Sequence, residues 1–573
     1  MKKRILLLTC FILTITCYAQ LGIGTVSPNG MLEISSGSQA SSGLVLPIVA
    51  KLEDVENAIA GESVKRGTII FDKQRNTLCY KKIDGWNCFN GDVVPDALYI
   101  KASNTDNGDL FGISMALSVD GNTLAVGAYG ERSNTTGING NQNNNSALYS
   151  GAVYIFTRNG TTWTQQAYIK ASNTDATDNF GWALALSGDG NTLAVGAYGE
   201  DSNATNINGD QTNNSATNAG AVYVFTRSGT TWAQQAYIKA SNSDAGDQFG
   251  YAIKISADGN TLAVGAFLES SNSTIINGDQ TNNSTTNAGA VYVFTRSGTT
   301  WAQQAYIKAS NSGNADYFGQ SIALSVEGNT LVVGANGESS NTTGINGNQN
   351  NNSAVFSGAV YVFTRNGTSW TQQAYIKASN SNGNDQFGTV IKLSDDGNTL
   401  AVGANGESSN ATGINAVQNN NSAANAGAVY IFTRSGTIWT QQAYIKASNT
   451  DANDNFGYTI SLSGDGNTLA VGAYGEDSNA TNINGDQTNN SATNAGAVYV
   501  FTRSVNVWNQ IFYIKAPNTD ANDQFGWSVA LSPNGNTLTI GANEEASNAT
   551  GIGGDQFNNS LYSAGAVYVY KIR

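Results

Sequence analysis

Short apolar runs separated by Asn-, Gly-, Ser- and Thr-rich stretches recur at fixed spacing along most of the chain. In one unit the runs cover 180–186, 192–197, 220–226 and 232–240. They are rich in β-branched and aromatic residues and bounded by Gly and Asn, which predicts four strands. The unit returns seven times. Phe111, Phe180, Phe249, Phe318, Phe387, Phe456 and Phe525 each stand 69 residues after the one before. A fixed period marks a repeat architecture, in which a unit too small to bury its own apolar face stacks on its neighbours. Four antiparallel strands per unit predict an all-β fold, a seven-bladed β-propeller. The two ends are out of phase: 97–102 reads as a fourth strand and 565–570 as a third. The opening strand is therefore expected to complete the last blade and remove two free edges.

Three segments follow from this pattern. Residues 1–19 read as a secretory signal, with Lys2, Lys3 and Arg4 before an apolar core at 5–17 and a small-residue cleavage site at Tyr18-Ala19-Gln20. Lipidation at Cys17 is the second reading. No later run is apolar enough for a transmembrane helix, so export to the medium or a bacterial cell surface is expected. Residues 20–92 form a small β-rich module with strands expected over 21–25, 43–47, 67–72, 78–82 and 86–89. Asp84-Gly85 is a hairpin signal that would set Cys79 against Cys88. In an oxidising compartment that pair is expected as a disulfide rather than a reactive dithiol. Residues 93–573 hold the propeller.

Composition narrows the chemistry. With 42 acidic and 28 basic residues the net charge is −14, which disfavours nucleic acid and anionic lipid as partners. Histidine is absent, which removes His-based triads and His-ligated zinc. Cationic partners, sugars and Ca²⁺ remain open.

Phe-Gly, then Val-Gly-Ala, then Gly-Ala-Val-Tyr, as at Phe180-Gly181, Val195-Gly196-Ala197 and Gly220-Ala221-Val222-Tyr223, resembles the FG-GAP repeat of integrin alpha-chain propellers and their bacterial relatives. The resemblance covers the whole of 93–573. It implies a propeller used for adhesion or recognition, and calcium bound between first and second strands by a D-x-D-x-D-G-x-x-D-like run. Here that run is Ser187-Gly188-Asp189-Gly190-Asn191-Thr192-Leu193, with one carboxylate and one residue fewer. Asp120, Asp258, Asp396 and Asp465 are its counterparts, while Glu327 and Asn534 replace Asp. Ca²⁺ takes six to eight oxygens, so the run reads as a type I′ turn instead.

Alternating strand direction puts the tight turns on one face. The fourth-to-first loops and the long second-to-third loops, such as 198–218, share the other. Loops this long are usually functional or disordered, and a recurrent apolar residue argues against disorder here. Ile138, Ile207, Ile276, Ile345, Ile414, Ile483 and Ile552 recur in them as expected pins. Two acidic series share this face. Asp109, Asp178, Asp247, Asp316, Asp385, Asp454 and Asp523 precede the Phe by two residues; Glu131, Glu200, Glu269, Glu338, Glu407, Glu476 and Glu545 open the long loop. The preferred reading makes the Asp a cap for backbone N–H groups and pairs the Glu with Lys101, Lys170, Lys239, Lys308, Lys377, Lys446 and Lys515. The sharper reading is a metal site, with Ca²⁺ the candidate ion, helped by Asn208, Asp210 and Asn213. Trp163, Trp232, Trp301, Trp370, Trp439 and Trp508 read as inter-blade core, with sugar-stacking platforms as the alternative. Asn-x-Thr sequons such as Asn203-Ala204-Thr205 allow glycosylation, and Asn-rich turn chemistry accounts for them equally.

The units are nearly interchangeable: 198–227 repeats letter for letter as 474–503. That favours a binding or adhesion protein recognising an extracellular protein or glycan multivalently. A structural or display module comes next, and an enzyme acting on polysaccharide last, because no asymmetric acid–base pair stands out. Ligand and oligomeric state are left open.

Overall fold

The computed structural model describes residues 97–572 and, ahead of them, the backbone of six short strands. The chain divides into two compact units, Met1–Pro95 and Asp96–Arg573. In the first, Leu21–Ile23 runs parallel to Leu32–Ile34. A second sheet orders Ile48–Val49, Ile69–Asp72, Thr77–Lys81 and Trp86–Cys88, and its register sets Cys79 opposite Cys88. The expected strand at 43–47, the Asp84-Gly85 turn and the 1–19 leader lie outside the described residues.

The second unit consists of seven four-stranded antiparallel sheets. The second blade runs Ala183–Leu186, Thr192–Ala197, Ala221–Ser228 and Thr231–Ile238. Its second strand is buried throughout, because neighbouring blades cover both faces. The seventh blade takes Phe525–Leu531, Thr537–Ala542 and Ala566–Lys571 from the end of the chain and Leu98–Ile100 from its beginning, with Tyr568 opposite Tyr99 and Val567 opposite Ile100. The ring closes as expected.

The repeated glycines explain how blades meet. Gly220 has φ +81°, and a Cβ there would sit 2.1 Å from the Phe249 carbonyl oxygen of the next blade. The same contact closes the ring, where a Cβ on Gly565 would meet the Phe111 oxygen at 2.2 Å. Only glycine permits both the left-handed backbone and the approach. Apolar clusters fill the space between sheets; one joins Val222, Val224 and Ile238 to Phe249, Leu262 and Val264, with Ile207 of the long loop packed against it.

The tight-turn face departs from one expectation. Gly190 N–H donates to Ser187 O at 2.9 Å, and only Gly190 has a left-handed φ, +70°. A type I′ turn needs positive φ at both central residues. Asp189 makes the difference: its carboxylate accepts Ser187 Oγ–H, Asn191 N–H and Asn191 Nδ2–H, at 2.6, 2.9 and 2.9 Å. These turns also join blade to blade around the axis. Val119, Gly188, Ala257, Val326, Asp395 and Gly464 each donate N–H to the next member's carbonyl, at 2.8–3.2 Å. The series stops at Pro533, which has no N–H.

The tryptophans lie inside. A β-bulge leaves Gln166 unpaired in the first blade's fourth strand, and its Oε1 accepts Trp232 Nε1–H of the next blade at 2.9 Å. Arg227 lies over the same ring, 5.3 Å from its centroid. Gln235, Gln304, Gln373 and Gln442 repeat the bond to the next Trp at 3.0 Å. At 4% exposure, Trp232 has no free face for stacking a sugar.

Candidate functional site

The Glu and Lys series meet on the long-loop face, where Glu follows the second strand and Lys ends the fourth. All seven pairs form within a blade at 2.7–2.9 Å, both side chains at 0–1% exposure. Glu200 shows the full arrangement. Its Oε2 meets Lys239 Nζ at 2.8 Å, while Oε1 accepts Tyr237 O–H at 2.7 Å and Asn173 Nδ2–H at 3.2 Å. Asn173 comes from the loop entering the blade and also accepts Tyr223 O–H at 2.5 Å. Burial pulls Lys239 below the usual lysine range, and Glu200 opposes that pull.

The Asp series caps backbone. Asp178 Oδ2 accepts Asp175 N–H at 3.0 Å. The same bond recurs at Asp109, Asp247, Asp316, Asp385, Asp454 and Asp523, at 2.7–3.1 Å. Burial pushes the carboxyl up to about 8 at Asp109, Asp178, Asp247, Asp454 and Asp523, against the pull of the backbone bond. At Asp316 and Asp385 it reaches about 7.

This donor set does not fit a calcium ion. The Glu oxygens are taken by Lys and Asn in every blade and also by Tyr in five of them. The three loop oxygens that would have helped are engaged too: Asn208 Oδ1 accepts Tyr237 N–H, Asp210 Oδ1 accepts Thr212 N–H and Asn213 Oδ1 accepts Ser215 N–H, at 2.9–3.0 Å. Among the described residues no group of three or more His, Cys, Asp or Glu side chains is placed to hold a metal.

The long loops are fastened at their isoleucines. Asn208 adopts φ +57° beside Ile207, and its N–H donates to Tyr237 O at 2.7 Å on the outer edge of the fourth strand. Asn tolerates the left-handed region better than other non-glycine residues. Ile138, Ile345, Ile414 and Ile483 form isolated bridges to the isoleucine ending their own fourth strand, and Ile552 does so with Ile100.

The axis is where the near-identity of the units fails, and the reading of interchangeable units is corrected there. The residue after each Phe-Gly is Ile113, Trp182, Tyr251, Gln320, Thr389, Tyr458 or Trp527. On the long-loop face Trp182 packs 5.1 Å from Tyr198 and 5.3 Å from Tyr251, which lies 4.3 Å from Phe267. Tyr458, Tyr474 and Trp527 form a second group, 4.7–5.0 Å apart. Amides take these places elsewhere: Gln320 Oε1 and Asn336 Oδ1 in the fourth blade, Asn405 Oδ1 in the fifth and Asn543 Oδ1 in the seventh are buried with no hydrogen-bond partner. Variation at one fixed phase of an otherwise constant repeat was the available signal, and averaging over the repeat hides it.

An FG-GAP repeat model matches residues 163–225, 232–294, 301–363, 370–432, 439–501 and 508–570. None of the curated proteins matches the chain. Among solved structures, the β-propeller domain of Cps50 (Swd1) from Myceliophteria thermophila is similar at 9% identity and a TM-score of 0.44, over 83% of this chain and 99% of that one. That likeness is too distant to carry an argument. Six matched segments and seven sheets joined through the Phe-Gly and Gly-Ala-Val-Tyr contacts lead to one assignment: the chain belongs to the FG-GAP repeat family and forms an integrin-alpha-like propeller.

Proposed function

We propose that the protein is an exported, surface-acting binding module that recognises an extracellular protein or glycan through its long-loop face. One observation carries this reading. Seven equivalent long loops stand on one face, each held to its own blade by backbone bonds and an apolar pin. Loops ordered before binding lose little conformational freedom on contact, which lowers the cost of association. Identical sites around a ring also convert a weak single contact into avidity. Thr212 and Asn214, near the loop tip, are exposed; Thr212 Oγ1–H donates to Asp210 and Asn214 Nδ2–H to Asp175, which orders the tip, and their oxygens can accept further hydrogen bonds. Binding rather than catalysis is favoured because the recurrent carboxylates are neutralised by lysine or turned to backbone.

A glycan array probed with the full chain tests the reading, with a panel of extracellular matrix proteins as a second arm. Selective retention that weakens when Thr212 and Asn214, with their counterparts in the other blades, are changed to alanine is the expected result. Uniform absence of binding in both arms leaves the structural or display module standing.

A further inference from the structure

The first strands of the blades line a cavity of about 260 Å³ on the propeller axis. The third residue of strand Ala252–Ile255 is Lys254, and that of Val390–Leu393 is Lys392. The equivalent residue in the other blades is Ala116, Ala185, Ala323, Ser461 or Ala530. Five small side chains therefore leave the lumen open around two long cationic ones. The lysines belong to blades separated by one, and their ammonium groups come within hydrogen-bonding reach of each other. Both line the same cavity. This arrangement is unlike the seven lysines of the Glu series, each of which has its own carboxylate. Among the described residues no carboxylate acts on Lys254 or Lys392; the Lys254 charge lowers Lys392, whereas burial lowers Lys254 and a hydrogen bond with Lys392 raises it.

Two facing ammonium groups in a confined space repel, and removal from water adds to the cost. The repulsion from Lys254 and burial together hold Lys392 well below the usual lysine range. An anion between them would reverse both effects, accepting hydrogen bonds from each side. Of the neutral polar groups in the lining, Ser321 Oγ–H and Thr389 Oγ1–H already donate to the Gly388 and Gln386 carbonyls, and Thr459 adds a third hydroxyl, so the two lysines carry the recognition.

We propose that the axial cavity binds a small oxyanionic group, a carboxylate, sulfate or phosphate, clamped between Lys254 and Lys392. The anion is either free in solution or carried on an acidic sugar, and this site stands apart from the long-loop reading. The test uses the full chain with K254A, K392A and the double variant. Alanine already occupies this position in four blades, so the variants keep a native strand. Titration calorimetry with sodium sulfate and with glucuronate, against glucose at matched ionic strength, reads binding directly. The expected result is saturable binding of one molar equivalent, weakened at least tenfold in either single variant and lost in the double. Sulfate and glucuronate both binding identifies a free-anion site. Glucuronate binding far more tightly than sulfate, with glucose silent, identifies an acidic sugar. No saturable binding of either anion, or binding that survives the double substitution, overturns the proposal.

Discussion

A lysine and a glutamate buried together are stable only as a pair, and Glu200 with Lys239 makes the point. Each is at 0–1% exposure, and their contact of 2.8 Å is reinforced by Tyr237 and Asn173. Truncating one partner leaves a charge in an apolar interior. Glu200→Ala is expected to cost about 3–5 kcal/mol, measured by denaturant titration. Glu200→Leu combined with Lys239→Met is expected to recover most of that loss, because the unpaired charge goes as well. The Asp ring gives a second residue-level expectation. Its carboxyls titrate near 7–8 in the folded protein and near 3.8 in the unfolded chain. A raised folded value means that the folded state holds protons that the unfolded state has released. The stabilisation is complete below about pH 4 and is lost as pH rises toward 8. Thermal midpoints across this window should fall with rising pH. Asp178→Asn keeps the backbone cap without the charge and should flatten the slope. A midpoint that rises through the window, or a slope unchanged by the substitution, would refute this account.

At the scale of the element, the β-bulge in the fourth strand decides how blades lock. It adds one residue and turns a glutamine toward the neighbouring blade, where a buried indole N–H needs an acceptor. Where the bulge carries Ile511 instead, the next blade's fourth strand is the short Leu98–Ile100 and brings no tryptophan. At that junction both are absent, whereas Trp163 of the first blade follows the short Leu98–Ile100 and has a tryptophan without the glutamine. Gln235→Ala should strand Trp301 Nε1–H and Arg296 Nη1–H, at a cost of about 1–3 kcal/mol. Ile511→Ala, at the same bulge position on the last junction, should cost less, since that residue is 37% exposed. Equal losses in the two variants would show that the bulge serves packing alone.

For the molecule as a whole, closure is the property on which the other contacts depend. Each blade buries its second strand only because a neighbour covers both sides, and the seventh blade depends on Leu98–Ile100 arriving from the other end of the chain. Ile100 is fully buried, opposite Val567. Ile100→Asp places an unpaired carboxylate in that junction and should free the edge of Ala566–Lys571. Limited proteolysis is expected to cut first near the C-terminal end of this variant. The equivalent change at Ile238, inside one continuous blade, should destabilise without directing cleavage to the seam.

The sequence by itself determined the number of blades, four strands in each, the closing strand, the interior tryptophans and the isoleucine pins. All of these are periodic signals, and a period survives in one dimension because each copy repeats the same local pattern of apolar and turn residues. It also offered the Asp and Glu series with two meanings. Only the tertiary structure chose between them, by bringing Lys239 and Tyr237 from the end of the fourth strand and Asn173 from the entering loop onto Glu200. The turn type was misread because Asp-Gly alone does not specify φ; the hydrogen bonds of Asp189 do. The axial lysines escaped notice for the opposite reason. Lys254 and Lys392 break the repeat rather than follow it, and they face each other only because a ring returns every first strand to one axis.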